Sequence, residues 1–503
     1  MLSAYTGSQI RAAEAPLLEA GYGDALMQRA AHGLAQVAGA ELRDTGGIYG
    51  RAVVVLAGSG NNGGDALYAG ARLAGRGAGT TAILTSERVH VEALVAFRAA
   101  GGRVEQLTDD RVDALAMRIA SAALVIDGIL GTGGSGGLRG AAAKLVQQVN
   151  ARGVARVVAC DLPSGIDADT GEAAGEILPA DVTATFGGVK TGLLAGAGAR
   201  AAGRVVTIDI GLTQSLPPAA AYSLEPEDLR QLYARPGPTD HKYSRGVLGI
   251  AAGSAMYPGA AVLATGAALG TGVGMVRFLG PPTVASLINA VHPEVVCSQG
   301  SVPESHVQAW LVGPGATEDP GQRQRARDAI ASGLPTVVDA GALPLLPEKV
   351  GEQVILTPHA GELAALFQRR GEDVERVAIE ATPAYFARRA AATTGATVLL
   401  KGYTTVVAAP GGELFIQSNA TPWLATAGSG DTLAGILGAL VATNAGNDDV
   451  AAPLGLPPSS RWAALGAAAA TLHGLAGRRA ARRGPVMVGE LPRHVGRVLA
   501  ELL

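Results

Sequence analysis

A carboxylate stands where a helix should begin in TPWLATAGSGDTLAGILGAL, residues 421–440. Gly428, Ser429 and Gly430 lead into Asp431, and an apolar run follows. Glycines let backbone N–H groups approach an anion, and a helix N-terminus adds the positive end of its dipole. A loop that only held phosphate would gain nothing from an acid there. The arrangement makes sense as a base that takes a hydroxyl proton while amides steady a transferring phosphoryl group. The plainer alternative is a glycine turn with Asp431 capping the helix.

The rest of the second half offers partners for such a base. ILTPHAGELAAL (355–366) puts His359 and Glu362 in a strand-to-helix turn, and VLLKGYTTVV (399–407) ends a strand at Lys401 and Gly402. GVLGIAAGSAMYPGAA (246–261) and LVGPG (311–315) add glycine turns, and HPE (292–294) a polar one. Singly, each has a structural explanation: His359 could cap a helix, and Lys401 could close a surface strand. As an ordered set over residues 223–503 they resemble the carbohydrate kinase-like dehydratase that repairs hydrated NADH and NADPH, within the ribokinase-like superfamily.

The resemblance implies that Asp431 activates the substrate hydroxyl and that Gly428, Ser429 and Gly430 form an anion hole. It implies an adenine-nucleotide site at Lys401, Gly402, Tyr403, Thr404, Thr405 and Gly430. Ala260, Gly315 and His359 would contact the hydrated dinucleotide beside Asp431, and Glu362 would help organise magnesium or substrate. In VVDAGAL (337–343), Gly341 stands where the family usually has a second acid, while Asp339 remains. The chemistry fits these parts. Hydration leaves a hydroxyl on the carbon next to the ring nitrogen; hydroxide leaves poorly, but phosphate leaves well. ADP is the donor the resemblance implies, giving AMP and phosphate.

In the first half, GSGNNGGDAL (58–67) directly follows an apolar run. It is not G-x-G-x-x-G and has no Walker lysine. Asn61 and Asn62 offer amides and Asp65 a carboxylate; DGILGTGGSGG (127–137) suits a diphosphate cradle; DLPSGIDADTG (161–171) supplies Asp161 and Ser164. Neighbouring strands would deliver Asn62, Asp127 and Ser164 to one rim. Oxygen donors with few charges suit a large monovalent cation better than zinc. Asp127 and Asp161 could instead cap the turns that follow them.

Together the three loops resemble the epimerase domain of the same repair system, over roughly residues 1–215. The resemblance implies potassium at Asn62, Asp127 and Ser164. Substrate would meet Asn61, Asn62, Gly63, Gly64 and Asp65, the run Gly131, Thr132, Gly133, Gly134, Ser135, Gly136 and Gly137, and Asp161. Lys190, in TATFGGVKTGL, matches a family lysine, and MQRAA (27–31) matches a helix bordering the site. Ala66 replaces a common glycine, and DGILGTG departs from the usual wording. Epimerisation needs loss and return of hydroxide or ring opening at the same bond; Asp161 is the expected proton shuttle for either, with Lys190 assisting.

Strand-like runs at 52–58, 81–84, 123–128, 156–163, 181–187 and 204–211 must position the first set of loops; helix-like segments separate several of them. That rhythm predicts βαβ units, whose ligands bind beyond the carboxyl ends of the strands. TQSLPPAAAYSLEPED (213–228) interrupts it, and alternation restarts at 246–254, 274–280, 309–315, 336–341, 353–358, 397–402, 404–410 and 413–417. The expected fold class is α/β. An N-terminal Rossmann-like three-layer domain spans 1–222, and a C-terminal ribokinase-like α/β/α domain spans 223–503. PLGLPPSSRW (453–462) reads as an exposed loop and RRAARR (478–483) as a solvated helix face.

The chain has 503 residues, a net charge of -3 and 48% hydrophobic residues, so two or three α/β domains have ample core. The charge gives no drive toward nucleic acid or anionic membrane. Cys160 and Cys297 read as buried small hydrophobes without a disulfide. MLSAYTGSQIRAAEAP carries no apolar signal core, and no charge-free apolar run reaches ~20 residues, so the cytoplasm is the expected compartment. Expected partners are hydrated NADH and NADPH, ADP and further copies of the chain in a homo-oligomer, with no nucleic acid and no membrane. Two other readings compete: a vitamin-precursor or sugar kinase, and a non-catalytic first half like the related domains of mRNA-decapping scaffolds. Intact Asn62, Asp65, Asp127 and Asp161 weigh against the second, and a fused epimerase against the first.

Overall fold

The computed structural model describes residues 1–134, 136–316, 319–482 and 484–503. The chain forms two compact units, Ser3–Ala220 and Ala221–Leu503, with Met1 and Leu2 counted in the second.

In the first unit, seven strands form a parallel sheet in the spatial order Arg103–Gln106, Gly79–Leu84, Ala52–Ala57, Leu124–Gly128, Val157–Cys160, Val182–Phe186 and Arg204–Ile208. Val53 to Ala57 and Leu124 to Gly128 are buried throughout, as strands covered on both faces must be. Leu34, Leu67 and Phe97 pack on one face, and Leu115, Ile119 and Leu145 on the other. Strand order reverses between Ala52–Ala57 and Leu124–Gly128, so the two glycine-rich loops leave side by side from their carboxyl ends. Ala4 and Tyr5 pair in parallel with Val189 and Lys190, fixing that lysine's backbone.

The second unit runs Val296–Ser298, Met275–Leu279, Val247–Ala251, Ala309–Val312, Thr336–Val338, Val354–Leu356, Thr397–Leu400, Thr405–Ala408, Leu414–Gln417 and Ala221–Ser223. Pairing is parallel as far as Thr397–Leu400, then antiparallel across the next two strands. Helix Ser429–Thr443 is buried almost throughout and lies against Pro258–Thr271. A Cβ on Gly435 would stand 2.2 Å from the Ala264 carbonyl oxygen, so the Ala- and Gly-rich composition serves close helix packing.

Two expectations need correction, at residues 453–462 and at Cys297. Residues 453–462 are no exposed loop: short helical turns at Ala452–Leu454 and Pro458–Ser460 lead into helix Arg461–Ala481, and Leu456 and Trp462 are buried. The prolines break regular structure, but the two apolar side chains still find core to fill. RRAARR does lie on a solvated face at the end of helix Arg461–Ala481: Arg478 and Arg482 are exposed and Arg479 makes a surface pair with Glu501; Arg483 lies outside the described residues. Cys160 is buried as expected, but Cys297 sits on an edge strand and is only half-buried; both are free. Among the described residues, no helix is long and apolar enough to cross a membrane.

Two candidate active sites

In the second unit, strand Thr397–Leu400 delivers Lys401 beside the turn that carries His359; the Lys401 N–H donates to Pro358 O at 2.8 Å. Lys401 Nζ donates to Asp339 Oδ1 at 2.7 Å, and the same oxygen accepts from Thr357 Oγ1 at 2.8 Å. Glu362 Oε2 lies 3.9 Å from Nζ. A Cβ on Gly430 would lie 3.4 Å from Nζ, so the ammonium reaches the mouth of helix Ser429–Thr443. Burial works to lower the Lys401 pKa, but Asp339 and Glu362 outweigh it and the net shift is upward. Asp431 is pushed up to about 6, by burial first and then by the Asp339 charge, with Lys401 pulling the other way. That value suits a general base near neutral pH.

Gly428 takes φ 86° as N-cap, turning the chain into the helix. The N–H groups of Gly428, Gly430 and Asp431 have no acceptor among the described residues, whereas Ser429 N–H donates to Thr426 O at 3.3 Å. A cavity of about 760 Å³ opens beside them, and Lys401, Gly402, Tyr403, Thr405, Ser429 and Gly430 lie on its wall. Of the expected nucleotide set only Thr404 is off the wall; it is buried, and its hydroxyl has no partner among the described residues. His359 also lines the cavity while capping helix Ala360–Arg369, its Nδ1 accepting from Gly361 N at 3.1 Å and Glu362 N at 3.2 Å. The capping and site readings of His359 are therefore compatible. Gly315 lies against Ala260. Asp431 is half-buried and does not line this cavity.

In the first unit, Asp161 follows strand Val157–Cys160 with φ 67°, a conformation that side-chain-bearing residues seldom adopt. Its Oδ1 accepts from Phe186 N and Thr185 Oγ1, each at 3.2 Å, and from Lys190 Nζ. Its Oδ2 accepts from Thr132 N at 3.4 Å and from the Thr132 hydroxyl. Lys190 is 1% exposed and also donates to Phe186 O at 2.9 Å. Burial alone would raise the Asp161 pKa; the Lys190 charge and these hydrogen bonds hold it below the usual carboxylate range. Asp65 contrasts with it. It is 7% exposed, its Oδ1 has no partner among the described residues, and burial, then the charges of Asp161 and Glu14, push its pKa well up.

Asp127 is 0% exposed and accepts from Ser164 N at 2.8 Å, Ser164 Oγ at 2.6 Å and Ile129 N at 3.3 Å. Leu130 ties the group together: its N–H donates to Ser164 Oγ at 2.9 Å, and its carbonyl accepts from Asn62 Nδ2 at 2.8 Å. Burial raises the Asp127 pKa despite the bonds from Ser164 and Ile129.

Comparison with known proteins gives these sites a family. The second half matches the family model described as NAD(P)H-hydrate dehydratase over residues 248–499, and the first half matches the YjeF-related protein N-terminus over 23–192. A bifunctional NAD(P)H-hydrate repair enzyme of Mycobacterium tuberculosis is 44% identical over 457 residues, covering 89% of this chain and 91% of the relative. The chain belongs to the bifunctional NAD(P)H-hydrate repair enzymes. The member from Mycobacterium leprae is 44% identical over 447 residues, 87% of this chain and 89% of the relative. The NAD(P)H-hydrate epimerase of Microbacterium testaceum is 49% identical over 214 residues, 42% of this chain and 79% of that protein. Among solved structures, the ADP/ATP-dependent NAD(P)H-hydrate dehydratase from Bacillus subtilis, co-crystallised with ATP and magnesium, covers 56% of this chain and 99% of that one, at 26% identity and TM-score 0.48.

As a repair enzyme of this family, the chain combines NAD(P)H-hydrate epimerase and dehydratase activities, an isomerase and a lyase on Rossmann-like and ribokinase-like folds. The expected residues of the repair enzyme gather into two groups. Asn62, Asp127 and Ser164 meet around Leu130, and Asp161 meets Lys190 and Thr132. Asn61 to Asp65 open helix Asn61–Ala74, and Gly131, Gly133, Gly134, Gly136 and Gly137 lie in the loop before helix Gly140–Arg152. Ser135 lies outside the described residues. Thr185, Glu14, Thr357 and His473 were missed. Alternation in VTATF does place Thr183 and Thr185 on one face, a signal that could have found Thr185. Glu14 and His473 come from helices whose own sequences point to no site.

Proposed function

We propose that Asp431 is the base of the dehydratase and that the adjoining cavity holds the nucleotide. One observation carries this: an acid tuned to about 6 follows unpartnered helix-start amides beside a cavity lined by a half-buried lysine. Asp431 takes the proton from the hydroxyl on the hydrated ring; the freed oxygen attacks the terminal phosphoryl of ADP, and AMP departs. The amides of Gly428, Gly430 and Asp431, with Lys401, steady the charge on the phosphoryl oxygens; the Ser429 hydroxyl joins them. Phosphate then leaves as the ring nitrogen supplies its electron pair, and loss of a ring proton restores the reduced nicotinamide. Ala260, Gly315 and His359 are the proposed dinucleotide contacts. Glu362 is a partly exposed carboxylate near Lys401 that accepts from the His359 N–H at 2.9 Å, and its charge fits magnesium shared with substrate phosphates. When bound, magnesium supplies charge neutralisation there.

For the epimerase we propose that hydroxide leaves and returns at the same ring carbon, with the cationic ring between. Asp161, held as an anion by Lys190, opposes that positive charge; Asp65 is a carboxyl with a spare oxygen to take part in proton transfer. This shifts the shuttle expected of Asp161, because its oxygens are already occupied by donors. Asn61 to Asp65 and Gly131 to Gly137 form the proposed dinucleotide cradle. Among the described residues Asp127 is a buried carboxylate held only by neutral donors, and Asn62 and Ser164 bring further oxygens; potassium fits this set and would supply the missing positive charge.

We further propose residues 1–222 as the epimerase domain and 223–503 as the dehydratase domain. The cytoplasm is the proposed compartment, because the substrates are metabolites of that space. The assembly proposed is a homo-oligomer, tested by sedimentation velocity. The test of function is a mixture of both hydrate epimers supplied with ADP. Complete recovery of reduced nicotinamide absorbance is expected, with AMP formed in equal amount. Recovery of the S share alone would remove the epimerase.

A further inference from the structure

Helix Arg461–Ala481 turns a histidine toward the start of helix Ser429–Thr443. His473 Nε2 lies 3.2 Å from Ser429 Oγ, and both residues line the 760 Å³ cavity. They are deeply buried, His473 at 8% exposure and Ser429 at 6%. Among the described residues this is the one hydrogen bond of the Ser429 hydroxyl, and the Ser429 N–H is already given to Thr426 O.

We infer that His473 is a positioning residue of the dehydratase: its Nε2–H donates to Ser429 Oγ and leaves the serine proton free to point at a phosphoryl oxygen in the cavity. The inference rests on the nucleotide reading of that cavity. Three arguments support it. Burial pulls His473 down to about 4, against a smaller upward pull from the Ser429 backbone, so the ring is neutral at working pH and one nitrogen carries a proton. A serine hydroxyl has one proton and two lone pairs, so a donor on the oxygen directs the proton elsewhere. Ser429 stands between Gly428 and Gly430, where Lys401 and the free amides would attract negative charge, so a donor aimed there adds to them. A buried histidine that merely filled space would need no polar partner at the cavity wall.

The test uses the full chain and reads dehydration with the S hydrate and ADP, with epimerase turnover of the same samples reporting folding. His473→Phe keeps the volume and removes the donor. It is expected to lower kcat about 10- to 100-fold, the usual cost of losing an orienting partner, with KM for the hydrate unchanged. His473→Gln, which keeps an N–H donor, is expected to recover most of that loss. Ser429→Ala combined with His473→Phe is expected to be no slower than Ser429→Ala alone. Wild-type kcat in His473→Phe, or defects that multiply in the double variant, overturns the inference. ADP titration keeps the parent reading separate. If Lys401→Met binds ADP as tightly as wild type, the cavity is not the nucleotide site and both readings fall. If its ADP binding weakens while His473→Phe retains full kcat, only the histidine's role falls.

Discussion

As the proposed base of the dehydratase, Asp431 would act through its protonation state. Its pKa near 6 arises because burial and the Asp339 charge oppose ionisation more than Lys401 favours it. A base works only when ionised, so activity is lost as protons bind. The kcat/KM for dehydration is therefore expected to be level near neutrality and to fall as pH drops through about 6. A profile flat through that range would contradict the assignment. Asp431→Ala is expected to lose about 10²- to 10⁴-fold in dehydration while ADP affinity and epimerisation stay at wild-type levels. At the other site, Asp161→Asn keeps the shape but removes the charge facing Lys190; epimerisation should collapse while dehydration of the pure S hydrate continues. Equal epimerase rates in wild type and variant would end that role.

At the scale of elements, the sites depend on loops held where strands end. A Cβ on Gly58 would stand 1.9 Å from the Ile129 carbonyl oxygen, so the loop after Ala52–Ala57 and the loop after Leu124–Gly128 touch through backbone. Gly58→Ala must push them apart, separating Asn62 from Leu130. Epimerisation is expected to fail in this variant, with dehydration intact. In wild type, replacing potassium by sodium should slow epimerisation only; indifference to the exchange argues against a cation at Asp127. The pairing of Val189 and Lys190 with Ala4 and Tyr5 sets the lysine under Asp161. Lys190→Met would leave Asp161 buried without its counter-charge. Urea unfolding is expected to show a loss of about 3–5 kcal/mol, partly recovered in Lys190→Met with Asp161→Asn.

For the whole molecule, two α/β units divide the repair of one metabolite pair, and damage to either is expected to spare the other's assay. The short-range part of this was legible in the sequence. Glycine-rich turns after β-branched runs located Asn62, Asp127, Asp161, Lys401 and Asp431, because a strand, a tight turn and a helix start are each written in a few consecutive residues. The main strands were visible for the same reason. Short strands such as Leu2–Tyr5 and Ala221–Ser223 were not, since they exist through their partners rather than their own pattern. Residues 453–462 read as a loop because proline and serine dominate them, yet Trp462 is core. What tertiary structure alone decided was which charges meet. Lys401 pairs with Asp339 across 62 positions, Lys190 with Asp161 rather than Asp127, and Ser429 with His473. Proton affinities follow from those encounters, because burial and Coulomb attraction depend on distance through space, which residue order does not record.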